Sequence, residues 1–202
     1  MLIRKLVIEN YKSLKGRFTI EFNSGINILV GENEAGKSTI LEALHLVLTG
    51  LLHGKYLKNE LTQYIFNDEV INEYIENLEK GSLSIPPAIL MEVFLIGDDL
   101  AILEGDANSD KKKDCGISLK IAFDEKFQDE YETLIKHGSI KTLPIEYYDC
   151  SWVTFARDSI TPKGIPLKSA LIDSSSNRYK NGSDVYISRI IKENLKETVD
   201  IS

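Results

Sequence analysis

Nine residues, Gly31-Glu32-Asn33-Glu34-Ala35-Gly36-Lys37-Ser38-Thr39, leave this chain few ways to fold. Two glycines bracket four residues, and a lysine and a serine follow at once. Glycine lets the backbone curl until successive N–H groups converge on one point and form an anion nest. A helix starting at the lysine adds its unpaired N–H groups and the positive end of its dipole. The flanks suit this reading. Ile26-Asn27-Ile28-Leu29-Val30 is a β-rich run, and Ile40, Leu41, Ala43, Leu44, Val47 and Leu48 recur at helical spacing. Strand, glycine loop, helix is the context that a phosphate-binding loop requires.

The chemistry expected of each position follows. The backbone of Asn33, Glu34, Ala35 and Gly36 wraps the phosphates of a nucleotide, read as ATP with Mg²⁺. Lys37 reaches the β- and γ-phosphates as a point charge. The Ser38 hydroxyl is the Mg²⁺ ligand, and Thr39 adds a hydrogen bond nearer the α-phosphate. Glu32 and Glu34 are expected to point outward while the backbone binds.

Elsewhere the pattern is that of an α/β protein. Leu2–Ile8 and Phe18–Phe22 read as strands, joined through Asn10-Tyr11-Lys12-Ser13-Leu14-Lys15-Gly16. Asp68–Lys80 reads as a helix stopped by Gly81, Ala88–Ile96 as a strand, and the polar segment 105–116, with Lys111-Lys112-Lys113, as a mobile loop. Ile117–Phe123 alternates as a strand. Phe127, Tyr131, Leu134 and Ile135 mark a short helix ended by Gly138. Leu143–Phe155 supplies one or two further strands, and Asp184–Val199 a closing helix.

Size and composition narrow the class. The chain has 202 residues, 43% hydrophobic and 27% charged, an ordinary balance for one globular domain. No apolar run is long enough for a bilayer, and Arg4, Lys5 and Glu9 break any signal-peptide pattern, so a cytoplasmic protein without membrane contact is expected. Cys115 and Cys150 cannot build a disulfide framework, and no Cys or His pair has zinc-ligand spacing. A net charge of −7 argues against nucleic acid gripped over the whole surface.

The string Leu6-Val7-Ile8-Glu9-Asn10-Tyr11-Lys12-Ser13-Leu14, followed by Ile26 through Leu44, resembles the N-terminal lobe of ABC-type ATPases of the SMC, Rad50 and RecF kind. Asn33 and the Asn10-Tyr11-Lys12-Ser13 turn match that group. Within it, the chain looks most like the OLD (overcoming lysogenisation defect) family of ATP-dependent endonucleases, a flavour carried also by Leu143–Tyr148 and Leu171-Ile172-Asp173. The motif-bearing match covers about the first 50 residues.

The resemblance implies a P-loop NTPase fold, an ABC-ATPase-like N-terminal lobe with a mixed β-sheet and flanking helices. It implies that Lys12 lies near the nucleotide phosphates. It also implies a homodimer closed over ATP, DNA as partner of the full-length protein, and a role in DNA repair or antiphage defence with a defence-system partner. Departures limit it. The chain has no Ser/Gly-rich signature and no apolar strand ending in Asp-Glu. Gln63 and Gln128 do not sit where a glutamine loop belongs, and nothing resembles a Toprim nuclease. Residues 1–202 are therefore expected to be a single, incomplete N-terminal lobe, whose C-terminal lobe and any nuclease lie outside. Three functions compete: an OLD-type nuclease, an SMC- or RecF-like repair ATPase without nuclease, and a module that binds ATP without hydrolysing it.

Overall fold

Leu6-Val7-Ile8 puts apolar side chains on both faces of one strand, which demands cover on both sides. The computed structural model, which describes residues 1–33, 35–81, 85–137 and 140–172, supplies it. The elements run β1 (Leu2–Tyr11), β2 (Leu14–Glu21), α1 (Lys37–Thr49), β3 (Leu51–Leu52), β4 (Lys55–Tyr56), α2 (Leu57–Glu60) and α3 (Asp68–Glu79). After them come β5 (Ile89–Ile96), β6 (Glu104–Gly105), β7 (Asp114–Phe123), α4 (Gln128–His137) and β8 (Tyr148–Thr154). All belong to the first of two units, Met1–Lys168; the second is Ser169–Ser202. The closing helix expected at Asp184–Val199, and Asp173, lie outside the described residues.

The main sheet has the order β2-β1-β5-β7-β6, with β8 also paired to β7. Each of these pairings is antiparallel. Together with its helices it forms the expected α/β lobe. One face is apolar: Leu6 and Ile8 of β1, Met91 and Val93 of β5, and Ile117, Leu119 and Ile121 of β7 share a core with Ile40, Ala43, Leu46 and Val47 of α1. Gly50 ends α1 in the left-handed conformation (φ 68°) and donates to the Leu46 carbonyl at 2.8 Å. The Trp152 indole donates to the Val47 carbonyl at 3.0 Å and ties β8 to the same helix end.

The opposite face carries a smaller apolar cluster, Val7, Phe94 and Phe155, beside two buried charges, Lys5 and Glu92. The Lys5 ammonium sits 3.7 Å from the centre of the Phe94 ring and pairs with Asp110, which also pairs with Arg17. Glu92 accepts from the Ser109 N–H at 2.8 Å, and burial pushes its carboxyl above the usual range, partly offset by the Ser109 bonds. The segment 105–116, expected to be a mobile loop, thus has its ends in β6 and β7 and its middle fastened by side chains to the sheet.

One other expectation needs correction. Ile26–Val30 is no strand: it has no ladder partner, and Ile26, Ile28 and Val30 are 91%, 78% and 87% exposed. Leu143–Phe155 gives one strand, β8, preceded by a 3₁₀ turn at Ile145–Tyr147. The β3–β4 hairpin, turned through His53 (φ 50°) and Gly54 (φ 79°), was not foreseen. The helix of Phe127–Ile135 forms as α4, but Gly138 lies outside the described residues.

Candidate nucleotide site

The phosphate loop is built on the start of α1. Gly36 precedes the helix with φ 80°, no side chain caps it, and its first turn holds no acidic residue. The first N–H groups of a helix have no partner within it, so these remain for an anion. Gly36 is also hemmed in. A Cβ there would lie 3.3 Å from Ser13 Oγ and 3.5 Å from Leu14 Cδ2. Residue type, backbone angle and close approach therefore agree at this position.

Lys37 folds back across the loop. Its Nζ donates to the Gly31 carbonyl at 2.7 Å and also to the Glu32 carbonyl. The Ala35 N–H reaches Glu32 O at 3.3 Å. A phosphate oxygen offers the same ammonium a charged acceptor in place of neutral ones, and such bonds are about twice as strong. The donors present therefore fit a polyphosphate. Ser38 is exposed, so its hydroxyl is open to a metal ion. Thr39 Oγ1 lies 3.3 Å from Ser13 Oγ. Asn33 occupies an exposed turn position; Glu34 lies outside the described residues.

The β1–β2 turn packs beside this loop. Asn10 (φ 58°) and Lys12 (φ 48°) are both left-handed, a conformation that needs support in non-glycine residues. Support comes from outside the turn. The Lys12 N–H donates to Ile65 O at 2.9 Å, the Asn67 N–H to Asn10 O at 2.9 Å, and Asn67 Nδ2 to Lys12 O at 2.7 Å. The Asn10 amide spans Gly16 N and Ala88 O, each at 3.0 Å.

Lys12 is thereby held next to Ser13 and so next to Thr39, but its ammonium is on Glu42. The Tyr11 hydroxyl donates to the same carboxylate, and His53 Nε2 lies 3.4 Å from its other oxygen. Burial, then the Glu42 charge, pushes the Tyr11 phenol upward, so it stays a donor. Glu42 went unnoticed in the sequence, as did the place of His53. The available signal was spacing: Glu42 follows Ser38 by one helical turn.

Neither glutamine joins the loop. Gln63 Oε1 accepts from the Leu143 N–H at 3.3 Å, and Gln128 Nε2 donates to Glu132 at 3.0 Å. Among the described residues no group of three or more His, Cys, Asp or Glu side chains could hold a metal ion. No helix described is long and apolar enough to cross a membrane.

A glycine loop over the start of a helix, backed by an antiparallel sheet and a basic turn, defines the N-terminal lobe of an ABC-type P-loop ATPase. The family model of the AAA domain matches residues 5–196, and the chain belongs to that family. It is similar to the DNA double-strand break repair Rad50 ATPase of Archaeoglobus fulgidus, 41% identical over 63 residues, 31% of this chain and 7% of that protein. It is also similar to the DNA replication and repair protein RecF of Vibrio campbellii, 33% identical over 69 residues, 34% of this chain and 18% of that one. A solved structure from work on ATP-driven dimerization and DNA-stimulated activation of SMC ATPases aligns over 82% of this chain and 75% of that one, with 18% identity and a TM-score of 0.42. The chain thus spans under a fifth of either curated relative. The likeness is to the SMC, Rad50 and RecF group, and nothing in these relatives favours the narrower resemblance to OLD nucleases.

Proposed function

We propose that this chain is the ATP-binding lobe of a DNA-repair ATPase of the SMC, Rad50 or RecF kind. The observation that carries the reading is the loop itself, where the Lys37 ammonium closes on the loop carbonyls above an uncapped helix start. The backbone of Asn33, Glu34, Ala35 and Gly36 holds the phosphates. Lys37 and Lys12 compensate their charge, Ser38 ligates Mg²⁺ and Thr39 fixes the α-phosphate end. Mg²⁺, when bound, neutralises the β- and γ-oxygens during phosphoryl transfer.

The site is half of an ATPase centre. The metal-bound aspartate, the catalytic base and the signature residues come from outside these 202 residues. The exposed Ile26, Ile28 and Val30 support this, because a second lobe contributing strands beside them would cover that apolar stripe. In the whole protein two copies close over ATP, and DNA is the partner that closure acts on. The protein works in the cytoplasm. The alternative of an OLD-type nuclease, with a role in antiphage defence and a defence partner, draws on Leu171-Ile172-Asp173 and on Leu143–Tyr148, whose buried Leu143 and Tyr148 already serve the core.

Titration of the chain with ATP·Mg²⁺ tests the reading. Binding is expected in the wild type and its loss in Lys37→Ala; equal binding by the two would end it. Steady hydrolysis by the chain alone would refute the half-site. A downstream Toprim pattern in the full gene would select the nuclease.

A further inference from the structure

Glu42 is better supplied with donors than an ordinary half-exposed carboxylate on a helix. It receives the Lys12 ammonium and the Tyr11 hydroxyl, with His53 Nε2 at 3.4 Å, while its side chain is 17% exposed. It stands one turn beyond Ser38, about 6 Å along α1. Lys12, in contrast, has a main chain that cannot shift. Its N–H and carbonyl are held by Ile65 and Asn67, and its neighbour Ser13 touches Thr39. Only its side chain, a flexible stem with a rotatable ammonium and 29% exposure, is at liberty to move. The Glu42 carboxylate already holds its ammonium, and the helix start, where an anion would sit, lies about one turn back along α1.

We propose that Glu42 competes with the bound nucleotide for the Lys12 ammonium and so sets the affinity of the phosphate loop. The inference rests on the ATP reading given above. Without an anion in the loop, Lys12 stays on Glu42. A triphosphate, carrying more charge than a carboxylate, draws the ammonium toward the start of α1. Glu42 is not left bare by that exchange, because the Tyr11 hydroxyl still donates to it and His53 Nε2 lies 3.4 Å from its other oxygen. The cost of stranding a half-buried charge, which ordinarily makes breaking such a pair unfavourable, is thereby reduced. Glu42 is in this sense a positioning residue: it acts on the ligand through Lys12 and does not touch it.

A double-mutant cycle on ATP·Mg²⁺ affinity, measured by calorimetry on the whole chain, separates this from simpler effects. Glu42→Gln keeps an acceptor for Tyr11 but removes the charge that holds Lys12. It is expected to bind ATP about three- to fivefold more tightly, the upper part of the range for a partly exposed ion pair expressed as affinity. Lys12→Met is expected to weaken binding by about tenfold. In the Lys12→Met background, Glu42→Gln should then change affinity by less than about twofold. Equal tightening with and without Lys12 would mean through-space charge alone and would overturn the competition. So would unchanged or weaker binding by Glu42→Gln, if Lys37→Ala still abolishes binding in the same assay. Failure of the wild type to bind ATP at all would instead bring down the nucleotide site, and the competition with it.

Discussion

The side-chain amide of Asn67 donates to the main-chain carbonyl of Lys12 at 2.7 Å, while its Oδ1 accepts from the Val70 N–H at 3.3 Å and caps α3. One buried residue thus starts a helix and fixes the turn beside the phosphate loop. Lys15, just past that turn in β2, adds ion pairs to Glu69 and Glu73 of the same helix, though pairs this exposed contribute little.

Asn67→Ala removes the cap and leaves the partly buried Lys12 carbonyl without its donor. Unfolding in urea should show a loss of about 2 kcal/mol. Asn67→Asp keeps the cap but turns a carboxylate oxygen, an acceptor, on the Lys12 carbonyl, so it should also be less stable than the wild type. Wild-type stability in Asn67→Asp would show that the turn does not depend on Asn67.

Gly36→Ala places a Cβ at a φ of 80° and within 3.3 Å of Ser13 Oγ. The strain is local, about 1–2 kcal/mol, so the thermal midpoint should fall by a few degrees only. ATP binding, which needs the converging backbone N–H groups, should drop at least tenfold. Retained affinity would show that this backbone conformation is not needed.

Gly116→Ala should be far worse for folding. A Cβ there would stand 2.3 Å from Phe155 Cε2 and 2.5 Å from the Val93 carbonyl, where neither ring nor strand has room to retreat. The expected cost exceeds about 3 kcal/mol, read as a collapsed denaturation midpoint or insoluble expression. A near-native midpoint would show that β5, β7 and Phe155 can separate.

Asp110→Asn probes the far face of the sheet. Its bonds to Lys5 and then Arg17 hold the Asp110 carboxyl below the usual range. A lowered folded pKa contributes stability that is present above the unfolded value, about 3.9, and lost as pH falls through the folded one. Because Lys5 is buried, the variant should be about 1–3 kcal/mol less stable near pH 7. The gap should close as pH drops below about 4, and a gap constant with pH would refute the ion-pair account.

What could be read from the sequence was what is local. The glycine loop at the start of α1 is legible in the spacing of Gly31, Gly36, Lys37 and Ser38, α3 and β7 in their periodicity, and β5 as an apolar run. Residues 105–116 read as a mobile loop because their composition is polar. The residues that fasten Asp110, namely Lys5 and Arg17, lie about a hundred positions away and leave no trace nearby. Glu42 escaped for the same reason, since Tyr11 and Lys12 approach it from another element. Ile26–Val30 has the composition of a strand, but a strand also needs a neighbour, which composition cannot supply. The β3–β4 hairpin is too short to produce a period.

The unpaired Ile26–Val30 run leads directly into Gly31, so its backbone and the phosphate loop are one continuous piece. Whatever comes to lie along Ile28 and Val30 therefore restricts the loop as well, and lowers the entropy that phosphate binding must remove. Linkage makes the effect mutual: a ligand gripping the loop would tighten the hold of anything docked on the run by the same factor. The affinity of this chain for nucleotide is then also a gauge of how completely that edge is clothed.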